Sequence, residues 1–187
     1  MKHNHHIFVV TGGVQQGKTT FLSGLIHHLQ KEQVSVTGFL SEGSFSDNQR
    51  SAFTLVNVEN GERHDLASVL EKDGWIRFGR FFFNPGTLAV GERIIRKGLE
   101  QKADLVVLDE VGPFELNGGI WSDILIQLFN AQNIAQVWVV REQVLKEVMN
   151  RWHIPQENVT GIGPGSLEKF IQKIKAYVRN DEIGPAT

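Results

Sequence analysis

Residues 12–19 have the types and the spacing that phosphate binding requires. They match the pattern G-x-x-x-x-G-K-[ST], with glycines at positions 12 and 17 followed by Lys18 and Thr19. Glycines let backbone N–H groups point into a loop, and a helix that begins there directs its unpaired N–H groups at an anion. Lys18 would reach the β- and γ-phosphates, and the Thr19 hydroxyl would hold Mg²⁺. The predicted phosphate-binding residues are Gly12, Gly13, Val14, Gln15, Gln16, Gly17, Lys18, Thr19 and Thr20.

The flanking sequence favours this interpretation over a glycine-rich turn with a chance lysine. A short β-branched run from Ile7 precedes the loop, and apolar residues follow it at helical spacing, namely Phe21, Leu22, Leu25, Ile26 and Leu29. A strand, a glycine loop and a helix in this order are the context in which the motif binds phosphate.

A pair of carboxylates closes the apolar run at residues 103–110. Asp109 has the form of a Walker B aspartate, which holds Mg²⁺ because a small hard cation prefers oxygen ligands. Glu110 is then free for another task, and a carboxylate beside the metal and the γ-phosphate can orient or deprotonate an attacking water. The alternative for the pair is an acidic loop after a strand.

Three arginines are candidates for a second cation that stabilises negative charge on a transferring phosphoryl group. Arg141 follows a buried strand and is predicted to lie at the active edge, so it joins Lys18 and Glu110 as a predicted catalytic residue. Arg50 and Arg80 are predicted in more mobile segments that close over nucleotide or act on a neighbouring subunit. For each arginine the alternative is a solvated surface position. The aromatic residues that could stack a base, or lie buried instead, are Phe45, Trp75, Phe78 and Phe81.

Apolar runs alternate with amphipathic helical patterns along most of the chain. Continuous apolar runs indicate strands buried on both faces, and their alternation with helices predicts an α/β protein with a mainly parallel sheet covered on both sides. The first predicted strand begins at residue 7, and the others cover residues 34–40, 103–110, 135–140 and 158–162. The first predicted helix ends near residue 33, and the others cover residues 84–102, 120–129, 142–152 and 166–178.

The segment between the second strand and the second helix differs from this alternation. Asn60-Gly61 lies between residues 51–58 and 63–67, which predicts an inserted antiparallel hairpin because Asn-Gly accepts the positive φ of a tight turn. Residues 44–50 are polar and follow a strand that is predicted to end at residues 41–43. Residues 72–83 are predicted to form a partly buried connection.

Composition restricts the class of protein. The 187 residues, 41% of them hydrophobic, fit a single domain over residues 1–187, with a loose tail at 180–187. With 19 Lys and Arg against 21 Asp and Glu, the chain has no basic excess of the kind that binds nucleic acid. No apolar run is long enough to span a bilayer and the start does not resemble a signal peptide, so a cytoplasmic location is predicted.

Two further features concern metals and redox chemistry. The absence of cysteine excludes disulfides and thiolate zinc sites. His3, His5 and His6 have metal-binding side chains, but a solvated, mobile terminus is the favoured interpretation because nothing nearby would preorganise them.

The motifs together resemble a nucleoside-triphosphatase family that has thermophile and cancer-related members. The resemblance rests on the glycine loop, on GFLSE at residues 38–42 and on LDEVGPFEL at residues 108–116. It implies a three-layer P-loop NTPase fold of the RecA-like kind and slow, broad-specificity hydrolysis of NTP to NDP and phosphate. It also implies that Glu110 is the catalytic base and that Glu42, Arg50 and Glu115 are further members of the site.

One departure from the family pattern lies in the loop itself. Relatives commonly have G-P-P-G-x-G-K-T, whereas this chain has Gly13, Val14 and Gln15 in place of the two prolines and the middle glycine. The ends of the loop are kept, and its stiffness is altered. The carboxyl-terminal third of the chain is less similar to the family, so the resemblance does not predict which nucleobase the protein prefers.

The leading functional hypothesis is Mg²⁺-dependent hydrolysis of ATP, GTP or another NTP. A small-molecule kinase with the same loop is the alternative within enzymes, because the loop does not specify what attacks the phosphate. A nucleotide-gated regulatory or binding protein with slow hydrolysis is the alternative from another class. Glu110 and the lack of an arginine-rich lid favour hydrolysis, and a protein partner or an oligomer is compatible with each hypothesis.

Overall fold

The structure, a computed structural model, describes residues 6–13 and 16–181. Its strands are β1 (Ile7–Gly12), β2 (Val36–Ser46), β3 (Gln49–Asn57), β4 (Arg63–Ser68), β5 (Ile76–Phe78), β6 (Phe81–Phe83), β7 (Leu105–Val111), β8 (Ala135–Arg141) and β9 (Val159–Gly161). Its helices are α1 (Lys18–Lys31), α2 (Pro85–Glu100), α3 (Pro113–Leu116), α4 (Ser122–Asn130), α5 (Leu145–Trp152) and α6 (Ser166–Asp181). Short 3₁₀ turns cover Glu142–Val144 and Gln156–Asn158.

The nine strands form one sheet in the order β5-β6-β4-β3-β2-β7-β8-β1-β9. The half from β2 to β9 is parallel, as expected for strands that alternate with helices. The other half, from β3 to β5, is antiparallel. The predicted α/β class with a mixed sheet is confirmed, and the antiparallel insertion is larger than the single hairpin that the sequence predicted.

Helices cover both faces of the parallel strands, which gives three layers. Along β1, Phe8 and Val10 pack into the core beneath α1 and α6, whereas Ile7 and Val9 pack into the core on the opposite face. The central strands β7 and β8 alternate in the same way, and their apolar residues are almost completely buried. Burial on both faces explains why these strands read as continuous apolar runs.

The antiparallel half contains two hairpins that the sequence analysis described differently. The strand predicted to end at residues 41–43 continues to Ser46 and turns at Asp47 and Asn48, both with positive φ, into β3. Aspartate and asparagine tolerate that backbone conformation, so the polar run is a tight turn with its two strand ends. The connection predicted at 72–83 contains the hairpin of β5 and β6. The hairpin predicted around Asn60-Gly61 is confirmed as β3 and β4.

The helix boundaries agree with their sequence signals at most positions. The Asn84 side chain accepts hydrogen bonds from the backbone N–H groups of Gly86 at 3.0 Å and Thr87 at 3.4 Å, and Pro85 is the first helical residue, so the predicted start of α2 is confirmed. At the carboxyl end, α6 continues to Asp181, beyond the predicted end at residue 178. The remainder of the predicted tail, residues 182–187, lies outside the described residues.

The prediction of a solvated histidine cluster at the amino terminus is wrong for His6. That residue is 4% exposed, and its carbonyl accepts a hydrogen bond from Gln136 N at 2.8 Å, beside the pairing of β1 with β8. His6 therefore belongs to the folded protein, immediately before β1. His3 and His5 lie outside the described residues. Among the helices described, none combines the length and the apolar character needed to cross a membrane.

Helix α2 approaches β2 so closely that a glycine is required at the contact. A Cβ at Gly98 would lie 2.0 Å from Thr37 Cγ2, far inside van der Waals contact. Thr37 is itself 1% exposed and cannot move away without disturbing the sheet. The contact therefore sets the distance between the helix and the strand that leads to the candidate site.

We expect Gly98→Ala to destabilise the protein by about 1–3 kcal/mol, because overpacking outweighs the better helix propensity of alanine. The matched control is Gly24→Ala in α1, whose added Cβ would meet only the flexible end of Leu167 at 3.1 Å. Urea unfolding of both variants measures the effect. Equal stability of Gly98→Ala and the wild type would contradict the close-packing explanation.

Candidate active site

The carboxyl ends of the parallel strands bring the predicted site residues together. Gly12 at the end of β1 is paired in register with Arg141 at the end of β8, and Asp109 and Glu110 lie near the end of the adjacent β7. The edge of an open α/β sheet is where ligands bind in such folds. The predicted convergence of these segments is therefore present.

The glycine loop connects β1 to α1, which begins at Lys18. Gly17 has φ of +78°, a left-handed conformation that glycine adopts without strain, and it turns the chain into the helix. The Lys18 Nζ donates to the carbonyls of Gly12 at 3.0 Å and Gly13 at 2.6 Å. Val14 and Gln15 of the predicted phosphate loop lie outside the described residues.

Gln16 is a loop residue whose side chain contacts the loop backbone. Its Oε1 accepts a hydrogen bond from Gly13 N at 2.6 Å, so a side-chain oxygen takes the N–H group that a phosphate oxygen would use. Burial lowers the pKa of Lys18, and the negative charges of Glu110 and Asp109 oppose that effect. The contact of Gln16 with Gly13 N and the contacts of Lys18 with the Gly12 and Gly13 carbonyls are of the kind that an anion can replace.

Asp109 is buried beside the start of α1. Its Oδ2 accepts hydrogen bonds from the Thr19 hydroxyl at 3.3 Å and the Ser41 backbone N–H at 3.0 Å, and the side chain is 1% exposed. Burial and the charge of Glu110 raise the pKa of Asp109 to about 7. Its Oδ1 is buried and has no hydrogen-bond partner among the described residues.

The Thr19 and Asp109 oxygens fit the predicted Mg²⁺ site. A hydroxyl and a carboxylate are oxygen donors of the kind that this hard cation prefers, and they lie within hydrogen-bonding distance of each other. The buried Oδ1 has an unused lone pair, and a cation would offset the cost of burying the carboxylate. The donor set is therefore chemically suitable for the metal.

Two arginines hold the carboxylate of Glu110, the residue that the sequence predicts to be left free by the metal for the activation of water. Arg141 Nε and Nη2 donate to Oε2 at 2.9 and 2.7 Å, and Arg50 Nη1 donates to Oε1 at 3.2 Å. The Glu110 side chain is 15% exposed. Charge-assisted hydrogen bonds in such a partly buried position are stronger than those between neutral groups. Glu110, Arg50 and Arg141 therefore form one charge cluster.

The structure also brings the three candidate arginines to this cluster. The Arg50 guanidinium lies between two aromatic rings, 5.1 Å from the Phe45 centroid and 4.9 Å from the Phe53 centroid. Arg80 Nη2 donates to the Arg50 carbonyl at 2.7 Å. Arg50 belongs to β3 and Arg80 to the turn between β5 and β6, so both are placed by the antiparallel half of the sheet.

The two further acidic positions differ in their surroundings. Glu42 is paired with Arg63 on β4 and its side chain is 42% exposed. Glu115 is 5% exposed, and its Oε2 accepts a hydrogen bond from Gly112 N at 2.8 Å at the start of α3. Burial raises the pKa of Glu115 to about 7. Glu115 therefore stabilises the turn after β7, whereas Glu42 reaches open solvent at the site.

Two cavities at this edge define where a ligand fits. The outer groove, of about 750 Å³, is lined by Gly17, Lys18, Thr19, Thr20, Ser23, Glu42, Gly43, Phe45, Asn48, Arg50 and Glu110. The cation chamber, of about 380 Å³, is lined by Gly12, Gly13, Lys18, Arg50, Phe53, Arg80, Phe81, Glu110, Arg141, Glu142 and Gln143. They meet at Lys18, Arg50 and Glu110.

Of the predicted stacking residues, Phe45 lines the outer groove and Phe81 lines the cation chamber. Phe78 instead packs against Phe83, with ring centroids 5.9 Å apart, and Trp75 lies beside Lys72. Two contacts were not predicted from the sequence: the Ser41 backbone N–H holds Asp109, and the side chain of Gln16, itself a predicted loop residue, accepts from Gly13 N. Residue spacing predicts neither contact. The Ser41 contact depends on how the strands pair, and the Gln16 contact depends on the path of the loop.

The chain is similar to proteins of a known family. The family model described as NTPase matches residues 6–160. The nucleoside-triphosphatase THEP1 of Sulfurisphaera tokodaii is 28% identical over 140 residues, which cover 74% of this chain and 79% of that protein. The protein of the same name from Archaeoglobus fulgidus is 36% identical over 107 residues, which cover 57% of this chain and 61% of that protein.

Solved structures agree on the fold. THEP1 from Aquifex aeolicus has a TM-score of 0.66 at 18% identity, and the match covers 92% of this chain and 98% of that one. A human cancer-related nucleoside triphosphatase has a TM-score of 0.65 at 21% identity, and the match covers 96% of this chain and 98% of that one. The P-loop NTPase fold that the motifs predicted is confirmed. Since the family model matches most of the sequence, the chain belongs to the NTPase family, as its motifs predicted, and is an enzyme of that class.

Proposed function

We propose that the protein hydrolyses nucleoside triphosphates to nucleoside diphosphate and phosphate in a Mg²⁺-dependent reaction. The observation that carries the proposal is the meeting of Lys18, Glu110 and the arginines Arg50 and Arg141 at one chamber beside the Thr19–Asp109 pair. Catalysis of phosphoryl transfer consists mostly of positioning and charge stabilisation, and these residues supply both. Membership of the NTPase family supports hydrolysis over the kinase alternative.

In this proposal the triphosphate binds along the glycine loop. Its oxygens replace the Gln16 side chain at Gly13 N–H and draw Lys18 Nζ away from the Gly12 and Gly13 carbonyls. Thr19 and Asp109 would hold Mg²⁺, which when bound would neutralise negative charge on the phosphates. Nucleotide binding thus exchanges hydrogen bonds within the loop for contacts with phosphate.

The γ-phosphate also competes with Glu110 for its arginines. Arg50 and Arg141 are both within reach of the chamber that contains Lys18, and a phosphoryl group with its charge spread over three oxygens is a strong partner for guanidinium groups. Transfer of the arginines to phosphate leaves the Glu110 carboxylate free to orient and deprotonate a water. The same exchange places positive charge where the transition state needs it.

Phe45 at the outer groove offers an exposed ring, and contacts with phosphate and loop backbone do not depend on the base, so several NTPs are proposed as substrates. The cytoplasmic location stays a prediction from the sequence. A nucleotide-gated regulatory role is not required to explain any contact at the site.

We expect wild-type protein to release phosphate from ATP, GTP, CTP and UTP only when Mg²⁺ is present, and Lys18→Ala to lose turnover with each of them. Removal of the charge that meets the β- and γ-phosphates should also weaken nucleotide binding at least about tenfold. The control is Lys31→Ala at the exposed end of α1. A folded Lys18→Ala protein with unchanged affinity and turnover would exclude the loop as the phosphate site.

We expect Asp109→Asn to need a higher Mg²⁺ concentration for half-maximal activity, because an amide is a poorer partner than a carboxylate for a hard cation. Metal titrations of phosphate release at fixed nucleotide measure the shift. Asp123→Asn, at an exposed position of α4, is the matched control. If both variants give the wild-type titration curve, the metal assignment of Asp109 fails.

We expect Glu110→Gln to bind Mg·ATP about as well as the wild type and to lose on the order of a hundredfold in turnover, which is the usual effect of removing a general base. Glutamine keeps the size and can still accept from the arginines, so the fold should be preserved. Single-turnover phosphate release and an equilibrium binding titration separate the two effects. Near-normal hydrolysis would refute the base role, and combined loss of binding and hydrolysis would assign Glu110 to support of the site.

A further inference from the structure

A third cavity, of about 230 Å³, adjoins the cation chamber, and we call it the aromatic cavity. Its apolar walls consist mostly of rings, namely Phe53, Phe81, Phe83, Phe114 and Trp121. A dry apolar cavity of about 150 Å³ is large enough for benzene. The aromatic cavity therefore has room for a planar molecule of one or two rings.

The polar residues of the aromatic cavity supply both acceptors, on Ser41, Glu110 and Glu115, and donors, on Arg80 and Arg141. Ser41 is 2% exposed, and its Oγ is buried without a hydrogen-bond partner among the described residues. The carboxyl groups of Glu110 and Glu115 line the same cavity. An unpartnered buried hydroxyl costs free energy, and that cost is removed when a ligand supplies an N–H or O–H group.

The aromatic cavity adjoins the site of phosphate chemistry. Phe53, Arg80, Phe81, Glu110 and Arg141 line both it and the cation chamber. The cation chamber in turn includes Lys18 and Gly13 of the glycine loop. A molecule in the aromatic cavity would thus lie beside Glu110 without contact with the glycine-loop residues Gly12, Gly13 and Lys18, which line the cation chamber alone.

We propose that the aromatic cavity is a second ligand site, which takes a planar compound of one or two rings that carries an N–H or O–H donor. Ring stacking and edge contacts with the phenylalanines supply affinity, and the donor reaches Ser41 Oγ or a carboxylate at the polar end. This site is additional to the NTP site, and its occupation depends on no step of the proposed hydrolysis. Its place beside Glu110 and Arg141 makes it the position for a second substrate or an effector.

Indole is a suitable probe because it has two fused rings and one N–H donor. Calorimetric titration of the full-length, nucleotide-free protein should give a Kd on the order of 1 mM or tighter, as expected for a small ligand in an enclosed site. 1-Methylindole, which lacks the donor, should bind at least about tenfold more weakly. Ser41→Ala should reduce the difference in affinity between indole and 1-methylindole, because it removes the unpartnered hydroxyl. The variant keeps the backbone N–H that donates to Asp109.

Cavity-filling variants localise the binding. Ile120→Phe narrows the aromatic cavity and should weaken indole binding at least about tenfold, whereas Ile126→Phe, at a 56% exposed position of α4, is the matched control and should bind as the wild type does. Lys18→Ala should also bind indole normally, which separates this proposal from the proposed NTP hydrolysis. Absence of binding to the wild type, equal affinity in folded Ile120→Phe, or loss of binding in Lys18→Ala would each overturn the proposal.

Discussion

Two adjacent carboxylates near the end of a strand that is buried on both faces impose the main physical constraint on this protein. Asp109 and Glu110 together carry negative charge into a region from which water is largely excluded, and such burial is costly unless the groups are paired or hydrogen-bonded. The surrounding elements meet that requirement. Thr19 and Ser41 hold Asp109, and two arginines hold Glu110.

A distortion of β7 lets neighbouring side chains both serve the site. In a regular strand, successive side chains point to opposite faces. Here the pairing of β7 with β8 shifts register between Leu108 and Val111, and Glu110 has φ of +69°, which is uncommon for a residue other than glycine. At this irregularity the Asp109 side chain contacts Thr19 of α1 and the Glu110 side chain contacts Arg141. Backbone strain at this position is thus associated with the arrangement of the two carboxylates.

The antiparallel half of the sheet extends the site beyond what the P-loop half supplies. It carries Arg50 on β3 and Arg80 on the β5–β6 turn to the chamber that contains Lys18. It also contributes Phe53 and Phe81, which line both the cation chamber and the aromatic cavity. This half therefore brings both positive charge and aromatic surface to one edge, and a nucleotide and a small ring compound would share Glu110 as a neighbour.

The sequence by itself determined the elements and groups that depend on local pattern. The buried strands and their alternation with helices predicted the fold, and the loop motif from Gly12 to Thr19 predicted a phosphate site, because these patterns depend on residue types and spacing along the chain. The resemblance of the motifs to a known family predicted the family. The start of α2 at Asn84 and Pro85 follows from the same kind of signal.

Only the tertiary structure decided how the charges pair. Glu110 is bound by arginines that are 31 and 60 residues away, and the Ser41 N–H reaches Asp109 across 68 residues of chain. Such contacts follow from the order of strands in the sheet and from the register shift in β7. The residue pattern within a single segment does not specify either of these. The aromatic cavity has the same origin, since its walls come from segments that meet only when both halves of the sheet are assembled.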